Sequence, residues 1–245
     1  MKTDQVKIET ADGVVPCHTY CPTGAGPWTP VVYFMDGMGI RPTLLESAAK
    51  LAESGHFVLV PDLYYRSGDY PPLDHSTLQD DPEQQARVWT MIELVTNDGT
   101  MRDLAAFLEF FENTPAALSE KIGVVGYCLG GPLALYAAAS FPDRVAVAAS
   151  IHGANLATDR PDSPHLLADR MRAELYVAVA EFDPYIIPGE TERIDQALRE
   201  AGANYTLEMY SGCHHGFALV GAHGFDADAN ERHRKKILEL FAAHL

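Results

Sequence analysis

Residues 123–135 read GVVGYCLGGPLAL, an apolar strand pattern running into an amphipathic helical one, with Gly126, Cys128 and Gly130 at the junction. A Gly-x-Cys-x-Gly turn between strand and helix is the cysteine form of an elbow that holds a nucleophile in a strained backbone position. Its flanking glycines let strand and helix approach closely. The turn lifts the side chain above the sheet and sets the sulfur at a helix N-terminus, where the dipole and free N–H groups favour thiolate. Inert packing, a metal ligand or half of a disulfide are the other uses of such a cysteine, and each makes different demands on the rest of the chain.

Outward from the elbow, residues 31–35, 57–60, 122–125, 145–149 and 175–179 are uninterrupted apolar runs, the pattern of strands buried on both faces of a parallel sheet. Helical periods lie between and after them at 98–112, capped by Asn97 or Asp98, and at 128–140, 189–200 and 226–244. Strand–helix alternation of this kind predicts an α/β fold with a mostly parallel central sheet and helices on both faces. Residues 5–10 and 14–21 around Asp12-Gly13 read as an antiparallel N-terminal hairpin at the sheet edge, with Pro16 putting the second strand at that edge.

A single domain over 1–245 is expected, since the length stays below the roughly 250–300 residues at which single cores stop growing. Within it, 62–97 is expected to be partly irregular. Its polar, proline-rich part, 62–83, reads either as a functional cover or as a surface excursion.

With 18 basic against 34 acidic residues, the formal charge of −16 argues against nucleic acid and anionic membranes as partners. No apolar run approaches the roughly 18 residues of a membrane span, and MKTDQVKIETADG has no apolar signal region. The expectation is a cytoplasmic protein with Cys17, Cys21, Cys128 and Cys213 reduced. Cys17-His18-Thr19-Tyr20-Cys21 has ligand-type residues, but strand alternation turns His18 away from both cysteines and no second pair exists, so no metal is expected.

A thiol nucleophile needs a base within hydrogen-bond reach and a third group to orient that base. In this architecture they follow in the order acid, then histidine, each just after a strand. The run 173–180 ends in Glu181-Phe182-Asp183-Pro184, and 205–210 ends in Ser211-Gly212-Cys213-His214-His215-Gly216-Phe217. Asp183 and His215 are the candidate acid and base, with Glu181 a rival acid and His214 a rival histidine. His152 also follows a parallel strand and should face the same rim, as a pocket wall or as a structural hydrogen-bonding group.

Together these residues resemble the dienelactone hydrolase family of α/β-hydrolases. The resemblance rests on Gly126-Tyr-Cys-Leu-Gly-Gly131, on Pro61-Asp62-Leu63-Tyr64, on Asp183 and on His215-Gly-Phe217. It implies a Cys128–His215–Asp183 triad, a thioester acyl-enzyme from a small ester or lactone, and no cofactor. It also implies an oxyanion hole from the backbone N–H groups of Gly37 and Leu129, and a carboxylate beside the thiol at Asp36, where family members usually carry a glutamate. Tyr64, Arg87, His152 and Leu219 are the candidate substrate-pocket residues. Leu219 stands four residues after the histidine, where the family has an arginine for the substrate carboxylate, so the resemblance predicts the family's chemistry more firmly than its namesake substrate. The competing expectation is a non-catalytic or redox-sensing thiol protein on the same fold.

Overall fold

The computed structural model describes residues 1–73, 78, 80–118 and 120–245. The chain divides into two compact units, Met1–Ser119 and Glu120–Leu245. The strands of both are parallel except where β2 meets its two neighbours.

The first unit orders its strands β1-β2-β4-β3. β1 (Lys2–Thr10) and β2 (Gly13–Cys21) form the expected hairpin, in register from Thr10↔Gly13 to Lys2↔Cys21. β2 also pairs antiparallel with β4 (His56–Pro61), which lies parallel to β3 (Thr29–Phe34). The edge is therefore β1, and the expectation that Pro16 marks β2 as the edge strand is corrected. Pro16 is tolerated inside because its carbonyl accepts from Asp62 N–H, just past the end of β4 at Pro61. Its nitrogen faces that same side, where no further ladder partner is required.

α1 (Pro42–Ala52) joins β3 to β4 and buries Leu44, Ala48 and Leu51, spaced four and three residues apart on one helical face. The segment 62–97 holds both regular and irregular stretches. A 3-10 turn covers Leu63–Ser67 and α2 spans Pro82–Leu94, while positions 74–77 and 79 of the segment lie outside the described residues. The start of α2 is encoded by Asp81-Pro82-Glu83: the Asp81 carboxylate accepts from the N–H groups of Glu83 and Gln84, and proline occupies the first turn, where its missing donor is harmless. α3 (Asn97–Glu112) is capped by Thr96, whose hydroxyl accepts from Gly99 N–H, and not by Asn97 or Asp98 as expected; both of those lie inside the helix.

A buried carboxylate ties these pieces together. Asp103 on α3 is fully buried and accepts from Tyr65 Oη at 2.7 Å and from Arg66 at 2.9 and 3.0 Å, and Arg66 also reaches Asp12 in the hairpin turn.

The second unit orders its strands β5-β6-β7-β8, all parallel: β5 (Ile122–Tyr127), β6 (Val145–Ile151), β7 (Glu174–Phe182) and β8 (Tyr205–His214). α4 (Gly130–Ser140), rich in glycine and alanine, is buried over most of its surface. α5 (Glu190–Glu200) begins after Gly189, and α6 (Ala227–His244) is capped by the Asp226 carboxylate, which accepts from Ala229 N–H. Among the described residues no helix is long and apolar enough to cross a membrane.

Removing Asp103 leaves the Arg66 guanidinium and the Tyr65 hydroxyl without their shared acceptor in a buried setting. Asp103→Ala should lower the unfolding free energy by about 3 kcal/mol, read as a reduced midpoint in urea denaturation.

Candidate active site

The elbow is built as its glycines require. A Cβ on Gly126 would lie 1.9 Å from the Gly130 carbonyl oxygen, so β5 can run into α4 only with glycine there. Cys128 has φ 49°, a left-handed conformation that a non-glycine residue adopts only when its surroundings enforce it. Its N–H donates to Ile151 O at the end of β6, and its carbonyl accepts from Gly131 N–H. The side chain is half-buried and free of any disulfide, as are the sulfurs of Cys17, Cys21 and Cys213.

The loops after β7 and β8 bring Asp183 and His215 to the same place. His215 Nδ1 and Asp183 Oδ2 are 2.7 Å apart, and the Asp183 side chain is 1% exposed. Asp183 Oδ1 accepts from Tyr185 N–H, so the residue both starts a turn and orients the imidazole. The other side of the His215 ring engages the Cys128 side chain. Burial by itself would depress the imidazole, but its hydrogen bonds to Asp183 and Cys128 outweigh that and lift it from the ordinary 6.5 to about 10.

The rivals separate cleanly. Glu181 points to β8, where its Oε2 accepts from Gly212 N–H at 2.6 Å. It lies beside the register shift between Ala180 and Phe182. His214 is exposed and lies against the Phe182 ring, 5.2 Å between centroids. His152 is fully buried, with its ring 5.1 Å from that of His215, and Leu219 is buried in the turn after β8.

Two participants escaped the sequence reading. Tyr185 sets its ring 4.6 Å from that of His215 while staying 48% exposed. Glu190, buried at the head of α5, accepts from Ile187 N–H and from Leu156 N–H, tying the Asp183 loop to the loop after β6. An aromatic two positions after the acid was the only available signal for Tyr185. Nothing local marks Glu190, whose partners come from two distant loops.

The remaining candidates belong to the first unit. The Asp36 carboxylate is buried and held by both terminal nitrogens of Arg41, at 2.5 and 2.8 Å. Gly37 follows it, and the hydroxyl of the buried Tyr64 donates to Gly37 O at 2.7 Å, fixing that peptide. Arg87 is half-buried on α2. Among the described residues no group of three His, Cys, Asp or Glu side chains is disposed to hold a metal ion.

The dienelactone hydrolase family model matches residues 15–245. The carboxymethylenebutenolidase of Rhodococcus opacus is 30% identical over 87% of this chain and 79% of its own length, and that of Pseudomonas putida is 27% identical over 99% and 97%. Among solved structures, a provisionally assigned dienelactone hydrolase from Klebsiella pneumoniae superposes with a TM-score of 0.84 at 21% identity, covering 98% of each chain. The α/β-hydrolase fold and its nearly full coverage follow from these matches.

The elevated His215 sets a pH dependence. A histidine raised from 6.5 to about 10 contributes stability that is fully present below 6.5 and is lost as pH climbs to about 10. Asp183→Asn removes the larger supporting hydrogen bond. The wild-type protein should therefore lose more Tm than the variant between pH 6.5 and 10, followed by thermal unfolding at stepped pH.

Proposed function

The chain belongs to the dienelactone hydrolase family and is a lactone or ester hydrolase, and from that premise we propose that it works through a Cys128–His215–Asp183 triad and a thioester acyl-enzyme. The observation that carries this reading is the continuous hydrogen-bonded arrangement from Asp183 through His215 to a cysteine held at positive φ on an elbow. Family membership favours this reading over a non-catalytic or redox-sensing thiol. The family match spans both units and supports one hydrolase domain over 1–245.

Cys128 Sγ attacks the carbonyl carbon, and the proton of the thiol resides on His215. The tetrahedral intermediate places negative charge on the carbonyl oxygen, to which Leu129 N–H, next after the nucleophile, donates. As the C–O bond breaks, His215 gives its proton to the departing alkoxide, leaving a thioester. Water then attacks that thioester, His215 accepts its proton, and the C–S bond breaks to release the acid and restore the cysteine. From a lactone the alkoxide remains attached, and the product is a hydroxy acid. Asp183 keeps the imidazole in one tautomer and orientation throughout.

The proposed substrate is an ester or lactone without a carboxylate near the acyl group. Leu219 stands where the family resemblance calls for an arginine, and residues 173–192 and 200–231, which include Asp183, His215 and their loops, contain neither lysine nor arginine. A carboxylate on the substrate would meet no lysine or arginine from those stretches, and an apolar side chain supplies no bidentate clamp in its place.

Cys128→Ala should lower the turnover of small activated esters by at least about 10³-fold and abolish the acylation burst, with the circular dichroism spectrum unchanged. Full turnover in this variant would end the proposal. In a screen of simple esters and uncharged lactones against carboxylate-bearing lactones, the uncharged compounds should show the higher kcat/KM. The substrate assignment, though not the triad, fails if the carboxylate-bearing lactones are preferred.

A further inference from the structure

We propose that His152 is a positioning residue that holds the His215 ring at the angle from which it serves Cys128, acting through that ring and not by contact with substrate. This rests on the triad reading above. The segment Ile151-His152-Gly153 follows β6 directly, and His152 has φ 38°. The described non-glycine residues with positive φ are Cys128, His152 and Asn155, so two of them meet at this site. Such a conformation persists only where the surroundings over-determine it.

Those surroundings are on both flanks. Ile151 O accepts from the nucleophile's own N–H at 3.0 Å, and His152 N–H donates to Ala178 O on β7 at 2.8 Å, a few residues before Asp183. A Cβ on Gly153 would lie 2.4 Å from Ser150 Oγ and 3.0 Å from Gly131 Cα, so this loop is pressed against the start of α4. The backbone of His152 is thereby latched to the strand that leads to the acid and to the elbow that presents the thiol.

Its ring touches the neighbours of both reacting groups. It meets His215 at 5.1 Å with an interplanar angle of 67°, Phe217 at 5.2 Å and 78°, and Tyr127, the residue before the nucleophile, at 5.8 Å and 57°. The Cβ–Cγ bond and the hydrogen bond from Nδ1 to Asp183 hold one edge of the His215 imidazole, and the ring can still tilt about that edge, against which the soft contact with Cys128 is a weak restraint. The far nitrogen then sweeps the widest arc, and that is the nitrogen on the sulfur side. An edge-to-face partner removes the tilt, because moving either ring opens the contact or drives it into overlap. Tyr185 also packs on His215, but it is half exposed in a surface turn, whereas His152 is fully buried and so able to act as the rigid reference. With no exposed ring surface, His152 has nothing to offer a substrate directly.

The test uses two variants of the full chain. His152→Asn removes the ring while keeping a residue that tolerates the left-handed conformation, and His152→Phe keeps a ring of similar size. His152→Asn should lower kcat on the order of 10²-fold while leaving KM within about twofold, as expected when a reacting group is misplaced without loss of binding. It should also slow iodoacetamide alkylation of Cys128 near neutral pH, and its alkylation–pH profile should move toward that of an ordinary thiol. His152→Phe should restore most of both quantities. An unchanged kcat and alkylation profile in folded His152→Asn overturns the proposal in favour of plain core packing, and a raised KM with unchanged kcat overturns it in favour of a substrate contact. Loss of activity in both variants with an unchanged alkylation profile also overturns it. Failure of the triad itself would register separately, as an active Cys128→Ala.

Discussion

The close approach of Gly126 to the Gly130 carbonyl is the constraint on which the catalytic end of the second unit depends. With only 1.9 Å available for a Cβ, any side chain at position 126 would push β5 and α4 apart and carry Cys128 with them. The left-handed cysteine, its N–H bond to Ile151 O and the fit of Gly131 against Gly153 are successive consequences of that approach. Placing the thiol thus also places the end of β6, and through β6 the ends of β7 and β8 that bear Asp183 and His215.

Charge is managed locally in a chain of net −16. Asp183 divides its two oxygens between the base and a backbone turn, Glu190 spends both of its own on backbone N–H groups, and Asp36 is claimed by Arg41. Asp103 is buried against Arg66 and Tyr65. Each buried carboxylate therefore has donors facing it, which is the condition for leaving a charge inside a protein. The stretches carrying Asp183 and His215 have no lysine or arginine, and hydrogen bonds to Asp183 and Cys128 hold His215 well above the ordinary imidazole range. That balance suits the proposed reaction, in which one proton is stored on the imidazole and handed to a departing alkoxide.

Much of this was readable in advance because the relevant signals are local. The apolar runs, the Asp-Gly hairpin and the Gly-x-Cys-x-Gly junction depend on neighbours within a few residues, and each appears where its pattern implies. The departures have equally definite causes. α2 carried a local start signal in Asp81-Pro82-Glu83, overshadowed by the proline-rich stretch before it. Thr96 displaced Asn97 and Asp98 as cap because its hydroxyl meets Gly99 N–H, a choice among adjacent capping residues that pattern alone leaves open. Pro16 sits on an inner strand because β4 ends before reaching it, and a strand's length relative to its neighbour is a property of the assembled sheet.

The sequence by itself determined the fold class, the elbow and an ordered set of candidates, Cys128, then Asp183 or Glu181, then His215 or His214, because backbone conformation and the strand-to-loop grammar of an α/β chain are set over short distances. Only the tertiary structure brought Asp183 to His215 while turning Glu181 to Gly212 N–H and His214 to Phe182, since residues at one strand end can differ in where their side chains go without differing in their chemistry. It also decided that His152 packs on His215 and that Asp36 is held by Arg41. Contacts of that kind are fixed by the register of separate strands and the path of separate loops, which no local pattern records.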